Sequence, residues 1–156
     1  MRALLLPLAL GASACGGPSA AFACLTDPFV VQAAHELDCD AVADDVTQVR
    51  AALESDTAPA RWRLALGEFD EAMAGVPIFV HADETFPRDG RTWVGRYSVV
   101  EGIELGSRGD ALPHEMMHAI DVHRGEWFTG THSGWDWTFD DAVTAKMSAA
   151  WTTSEN

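Results

Sequence analysis

Apolar residues recur at helical spacing in the first half of the chain. The stretch 27–53 predicts one helix, because apolar residues fall at intervals of three or four along a single face: Val42, Val46, Val49 and Leu53. A second helix is predicted after residue 60, where the same spacing recurs: Trp62, Leu66, Phe69 and Met73. Gly75 suits the end of that helix.

The period of the pattern changes after Gly75. Residues 76–83 form a short apolar run rich in β-branched side chains, which predicts a strand. Residues 92–105 alternate between polar and apolar positions, so we expect one or two strands there, bent at Gly102. The stretch between them, 83–91, is typical of a loop.

A third helix is predicted to begin after Asp110, whose carboxylate suits an N-cap, with Pro113 in its first turn. It extends to about His123. A last helix follows from apolar residues spaced four apart: Phe139, Val143, Met147 and Trp151. Two N-terminal helices, a small β-sheet, a third helix and a C-terminal helix together predict an α+β fold.

Length and charge narrow the range of functions. The 156 residues suit one domain with its own core and hardly suffice for two. The 24 acidic and 10 basic residues give a formal net charge of −14. Such a surface repels the phosphate backbone of nucleic acids, so we expect no nucleic-acid partner. We expect a monomer.

The N-terminus has the composition of a signal peptide, with one basic residue, an apolar run too short to span a membrane, and small residues. Residues 12–15, Ala-Ser-Ala-Cys, resemble a bacterial lipobox. They predict a signal peptide over residues 1–14 and a cell-envelope lipoprotein whose first residue is the lipidated Cys15. Residues 15–27 would then form a tether, followed by a single domain over residues 28–156.

A second cleavage site competes with the lipobox. Residues 21–23, Ala-Phe-Ala, form an A-x-A site that would extend the signal peptide to residue 23. Cleavage there would release a freely secreted, soluble protein that starts at Cys24. With either site the protein is exported.

Two cysteines remain once Cys15 is lipidated or removed. In an oxidising compartment, Cys24 and Cys39 are predicted to form a disulfide. Two free buried thiols are the alternative.

The chemistry is carried by an H-E-x-x-H motif at residues 114–118. Each residue of an α-helix turns by about 100°, so His118 lies about 40° from His114 on the same face. Two imidazoles placed in this way can bind one zinc ion. Glu115 lies about 100° away, beside the metal, where a general base would act on a bound water.

Two nearby residues differ in their placement on the same helix. Asp121 lies at about −20°, on the histidine face, where it could accept the free ring N–H of a ligand histidine. His123 lies at about 180° and faces away from the predicted metal. Tyr97 and His123 are the evident candidates for stabilising an oxyanion.

The third zinc ligand lies outside the motif. A catalytic zinc takes three protein ligands and leaves one position for water. The pattern H-E-x-x-H-x-x-G-x-x-H is absent, since Asp121 stands at its glycine position and Arg124 at its last histidine position. His132 is the first candidate. The remaining candidates are acidic: Asp136, Asp140, Asp141 and Glu126.

Residues 114–137, with HEMMHAID and THSGWDW, resemble the compact zinc peptidases of the SprT-like type. In that family a third histidine follows H-E-x-x-H and opens a helix, which implies His132 as a zinc ligand, one catalytic Zn²⁺ and a minimal zincin-like fold. The run H-E-x-x-H-x-x-D also resembles lethal-factor-like peptidases, whose third ligand is a glutamate on a later helix. The DNA-linked role of SprT-like proteins is not expected of an acidic, exported protein.

The sequence therefore predicts an exported zinc metallopeptidase that hydrolyses peptide bonds, with Glu115 as general base. Its partner is a peptide or protein substrate, and it meets the membrane only through the lipid anchor. The edge of the strand region 92–105 could pair with an extended peptide. The alternative is a non-enzymatic envelope lipoprotein whose zinc is structural or whose motif is vestigial, and which acts as a binding module. A fourth protein ligand, such as Asp136, would favour that alternative.

Overall fold

A computed structural model describes residues 20–58, 60 and 62–125, which form a mixed α+β fold. The strands in this part of the chain are β1 (Phe22–Thr26), β2 (Phe29–Ala33), β3 (Ile78–Val80), β4 (Phe86–Arg88), β5 (Arg91–Trp93), β6 (Gly95–Ser98) and β7 (Gly102–Leu105). The helices are α1 (Cys39–Leu53), α2 (Glu68–Met73) and α3 (Leu112–His123). The α+β class expected from the order of elements is confirmed.

Five of the strands form one sheet in the order β1-β2-β3-β7-β6, while β4 and β5 pair with each other. β2, β3 and β7 run parallel, and the two outer strands are antiparallel to their neighbours. Within the described residues the edges of the sheet are therefore β1 and β6. α3 packs against β6 and β7, so the motif helix lies beside one edge.

The core lies between one face of the sheet and the helices. Alternate residues of the central strands are buried there, among them Val31, Ile78 and Ile103. The predicted stripe of α1 is confirmed, since all four of its apolar residues are buried in the same cluster. Full burial of such a side chain contributes about 1.5–3 kcal/mol.

The helix predicted over residues 27–53 begins later than expected. Residues 29–33 form β2, in which buried and exposed positions alternate. α1 starts only at Cys39, where the side chain of Asp38 accepts a hydrogen bond from the N–H of Ala41 at 3.2 Å. The β-branched pair Val30-Val31 and the capping aspartate explain the boundary.

The second predicted helix is also shorter than its apolar spacing suggested. α2 starts at Glu68, after Gly67 with a φ of 86°. Leu66 is 93% exposed, so it is not part of an apolar face, whereas Trp62 is buried from the preceding loop. The left-handed backbone at Gly67 separates the loop from the helix and breaks the apparent period.

The folded sheet begins earlier than the predicted domain boundary at residue 28. β1 lies within the predicted tether and pairs along its length with β2. The predicted disulfide is present: Cys24 of β1 is bonded to Cys39, the first residue of α1. Closing a loop of this separation, 15 residues, stabilises a fold by about 3 kcal/mol in the chain-entropy model.

The strand prediction for residues 76–83 is confirmed by β3, and the prediction for 92–105 by β6 and β7 with the end of β5. The predicted loop 83–91 also contains β4. Gly102 begins β7 with a φ of 84°, and a Cβ there would lie 2.2 Å from the carbonyl oxygen of Pro77. Only glycine fits this position, which explains the bend expected there.

α3 begins at Leu112 with Ala111 as its N-cap and no side-chain cap, so the cap predicted at Asp110 is wrong. Pro113 lies in the first turn as expected, where its missing N–H costs no helical hydrogen bond. The helix ends at His123. The predicted signal peptide and the predicted helix over residues 139–151 lie outside the described residues. No helix in the described part is long and apolar enough to cross a membrane.

The C-terminal end of α3 is fixed to α2 by an ion pair. The Nε of Arg124 donates to Oε1 of Glu68 at 2.7 Å, and its Nη2 donates to the carbonyl oxygen of Arg63 at 2.8 Å. The pKa of Glu68 lies below its ordinary value, chiefly because of the hydrogen bond from Arg124 and next because of one from the N–H of Ala65.

This lowered pKa predicts a loss of stability in acid. The Glu68–Arg124 pair stabilises the fold fully above the carboxyl pKa of the unfolded chain, about 4.3, and is lost as the pH falls through the lower folded value. The free energy of unfolding should therefore fall more between pH 6 and pH 3 in the unmodified protein than in Glu68→Gln. Urea denaturation at several pH values measures it. Glu71→Gln, an exposed change on the same helix, is the control and should follow the unmodified protein; identical curves for Glu68→Gln would contradict the prediction.

Candidate functional site

The two motif histidines lie together on one face of α3. The rings of His114 and His118 meet edge to face, with centroids 5.2 Å apart and planes at 78°. Both side chains are half-buried, so the pair is held by packing and is still accessible from solvent. On the opposite side of the helix, Leu112, Met116 and Ile120 are buried in the core and fix its rotation.

Glu115 lies between this helix and the edge strand β6. It is only 5% exposed. Its neighbour on the strand is Gly95, where a Cβ would lie 2.8 Å from Oε1 of Glu115 and 2.5 Å from the Cβ of Ala111. The absence of a side chain at Gly95 therefore lets α3 approach β6 closely enough to bury the carboxylate against the strand.

Tyr97 follows two residues later on the same face of β6. Its ring is parallel to that of His118, with an interplanar angle of 7° and centroids 6.4 Å apart. The side chain is half-buried, and burial raises the pKa of its phenol above the ordinary value. At neutral pH the hydroxyl is therefore protonated and can donate a hydrogen bond beside His118.

The other two residues predicted on this helix lie in its last turn. Asp121 is 2% exposed, so its carboxylate belongs to the interior. His123 is exposed at the end of the helix. The structure therefore brings His114, Glu115 and His118 together at the edge strand and leaves His123 at the surface.

The third ligand predicted from the sequence lies outside the described residues. This holds for His132 and for every alternative: Asp136, Asp140, Asp141 and Glu126. Across residues 20–58, 60 and 62–125, no three His, Cys, Asp or Glu side chains are grouped so that they could hold a metal ion. The described part of the site thus offers two neighbouring imidazoles and one buried carboxylate.

Ion pairs on the face of the sheet that points away from α3 hold β6 in place. Arg96 pairs with Glu104 of β7, and its Nη1 donates to Oε2 of Glu104 at 3.1 Å and to Oε2 of Glu101 at 2.6 Å. Glu104 also faces Nε2 of His81 at 3.2 Å. The strand that lines the site is therefore fixed by ion pairs on one face and by α3 on the other.

Sequence reasoning named the motif residues and Tyr97 but missed Gly95. An isolated glycine within a strand pattern is a signal of close backbone approach, and residues 94–98, Val-Gly-Arg-Tyr-Ser, carry that signal. What the sequence alone does not reveal is that the approaching element is the motif helix.

We predict that Gly95→Ala forces α3 away from β6. The new methyl group would overlap Ala111 and Glu115, and overpacking of this kind costs about 1–3 kcal/mol. Combining it with Ala111→Gly should recover part of that loss, because the contact with Ala111 disappears while the contact with Glu115 remains. Thermal and urea denaturation measure both effects. Ala111→Gly alone is the control and should change stability little, since glycine is tolerated at an N-cap; an unchanged Gly95→Ala protein would refute the prediction.

Comparison of the chain with protein-family models, with curated proteins and with solved structures gives no match. The similarity to SprT-like and lethal-factor-like peptidases therefore rests on the motif residues alone.

Proposed function

We propose that this protein is an exported zinc metallopeptidase of minimal zincin-like fold that hydrolyses peptide bonds. The observation that carries the proposal is the placement of two accessible imidazoles on one helix face with a buried glutamate between them and a sheet edge. Nitrogen ligands beside a carboxylate base are a combination that zinc-dependent hydrolases use.

The spacing of the two rings supports a shared zinc ion. Two imidazoles that each direct a ring nitrogen at one tetrahedral zinc, at about 2.0–2.1 Å, have their centroids about 5 Å apart. The ring centroids of His114 and His118 are 5.2 Å apart, a separation that suits such an arrangement. Imidazole is also the donor that suits zinc. His132 is proposed as the third ligand, with Asp136, Asp140 or Asp141 as the alternative.

Zinc, when bound, supplies a Lewis acid that brings the pKa of a water molecule down towards about 7. Glu115 would take a proton from the attacking water and pass it to the leaving amine. A Cβ at Gly95 would lie 2.8 Å from Oε1 of Glu115, so the carboxylate lies close against the strand, which limits its movement before substrate arrives.

The edge strand supplies a surface for an extended peptide. Within the described residues β6 has no strand on its outer side, so its backbone can accept a peptide as an added strand. Such a peptide would pass beside Glu115 and Tyr97, the two side chains at the strand–helix junction. The hydroxyl of Tyr97 is proposed to donate to the carbonyl oxygen as charge develops on it.

The charge of the protein fits a peptide better than a nucleic acid. With a formal charge of −14 the surface repels phosphates, and the described sheet edge has no basic patch that would offset this, because Arg88 and Arg96 are paired with Glu101 and Glu104. The proposed substrate class is therefore peptides or unfolded proteins outside the cytoplasm.

We predict that Glu115→Gln separates metal binding from hydrolysis. The variant should still bind one zinc ion per chain, because its histidines are intact, and should hydrolyse an unfolded protein substrate at least about 100-fold more slowly, since it lacks the general base. Zinc content is measured by elemental analysis and activity by release of peptides.

The control is Glu36→Gln, an exposed glutamate in the loop before α1, which should keep full activity. A Glu115→Gln variant that binds zinc and retains full activity would exclude the proposed mechanism. An unmodified protein that binds zinc and hydrolyses no peptide would favour the non-enzymatic binding module instead.

A second prediction concerns the third ligand. Loss of a residue that only supports a metal ligand weakens metal affinity by about 10–100-fold. Loss of a ligand itself should cost more, so we expect His132→Ala to weaken zinc binding by more than about 100-fold. His123→Ala removes an exposed histidine of α3 and should leave zinc affinity unchanged. Competition with a chromogenic chelator measures both. Unchanged affinity in His132→Ala, together with loss in Asp136→Ala, Asp140→Ala or Asp141→Ala, would transfer the role to that aspartate.

A further inference from the structure

We propose that the exported protein keeps residues 21–23 as part of its folded sheet, and that processing of the leader therefore takes place upstream of Ala21. The A-x-A site ending at Ala23 is then not the boundary of the mature chain. The inference rests on β1 and on export of the protein, and it is independent of the zinc chemistry.

The pairing of β1 carries the proposal. Phe22 lies opposite Ala33 and Ala23 opposite Gln32, and the N–H of Ala21 donates to the carbonyl oxygen of Ala33 at 2.9 Å. Cleavage after Ala23 would remove Ala21, Phe22 and Ala23. Of the five residues of β1, only the last three would remain paired with β2. A strand that short, at a sheet edge and ending in a free terminus, loses much of its pairing.

The new N-terminus that such a cut creates would also lie at an unfavourable position in the fold. It would lie on Cys24, a residue only 2% exposed, whose side chain is bonded to Cys39. An α-amino group with a pKa near 7.7–8.0 is largely protonated at neutral pH, so the new terminus would carry a charge where β1 pairs with the buried Val31. The cut would also remove Phe22, which faces the fully buried Ala33 from the edge of the sheet.

Cleavage before Cys15 has neither consequence. It leaves residues 15–20, Cys-Gly-Gly-Pro-Ser-Ala, between the new terminus and the first hydrogen-bonded residue of the sheet. Six residues span at most about 20 Å, so a lipid on the first of them would hold the domain close to the membrane surface. The structure thus distinguishes two processing sites that the sequence leaves open.

The test is intact-mass spectrometry of the protein exported from a bacterium with its own leader. We expect a mature N-terminus at Cys15 that carries the mass of a lipid; any other N-terminus between residues 2 and 21 also leaves β1 whole and agrees with the proposal. An N-terminus at Phe22, Ala23 or Cys24, or an uncut chain starting at Met1, would overturn the proposal.

Two variants sharpen the experiment. Ala23→Val removes the small residue required at the A-x-A site, yet valine suits this exposed strand position, so the mature mass should change only by the substitution. Accumulation of the precursor in Ala23→Val would show that the A-x-A site is used and would overturn the proposal. Cys15→Ser distinguishes the upstream routes: loss of processing identifies a lipoprotein, and continued cleavage upstream of Ala21 identifies another peptidase, while both leave β1 whole.

A stability measurement tests the physical basis separately. The protein is produced with its N-terminus at Ala20 and, in parallel, at Cys24, both with the disulfide formed. We expect the Cys24 form to unfold at a temperature lower by at least about 4 °C, or to fail to fold where the Ala20 form folds. Equal midpoints would show that residues 21–23 contribute nothing to the sheet and would remove the reason for the proposal.

Discussion

The close approach of α3 to the edge strand β6 is the constraint on which the site depends. It is possible only because Gly95 has no side chain: a Cβ there would overlap Ala111 at 2.5 Å and Glu115 at 2.8 Å. This contact buries the carboxylate of Glu115 while the histidines one residue before and three residues after it stay half-exposed. Gly95 thus sets how closely the helix approaches the strand, while the buried face of α3 sets which motif side chains turn towards it.

Both partners in this contact are fixed from their far sides. β6 is held on the outer face of the sheet by Arg96, whose guanidinium bridges Glu101 and Glu104. α3 is held at its C-terminal end by Arg124, which is paired with Glu68 on α2. These charged contacts involve partly buried side chains, so solvent screens them less than it screens pairs on an open surface. They restrict the two elements without using any residue of the proposed catalytic set.

Much of this arrangement could be predicted from the sequence, and the failures have specific physical causes. The apolar stripe of α1 and the alternation in β6 and β7 reflect local periodicity, which survives in the fold. β2 was missed because Val30-Val31 precedes a true helical pattern without a glycine or proline between them, and only Asp38 marks the boundary. Leu66 matched a helical period by coincidence. The role of Gly95 depends on a contact between distant segments, which no local pattern encodes.

Burial of Glu115 is the second feature that distinguishes the packing of this motif. A buried carboxylate is tolerated only where hydrogen bonds or opposite charges compensate for the lost water, so the surroundings of Glu115 specify its position. The same low-dielectric setting strengthens each electrostatic interaction of the carboxylate with groups at the site. Together with two imidazoles at a spacing that suits one metal ion, this burial is the feature that a surface motif arising by chance would lack. The proposed peptidase activity is therefore supported by the packing of the motif as well as by its amino-acid sequence.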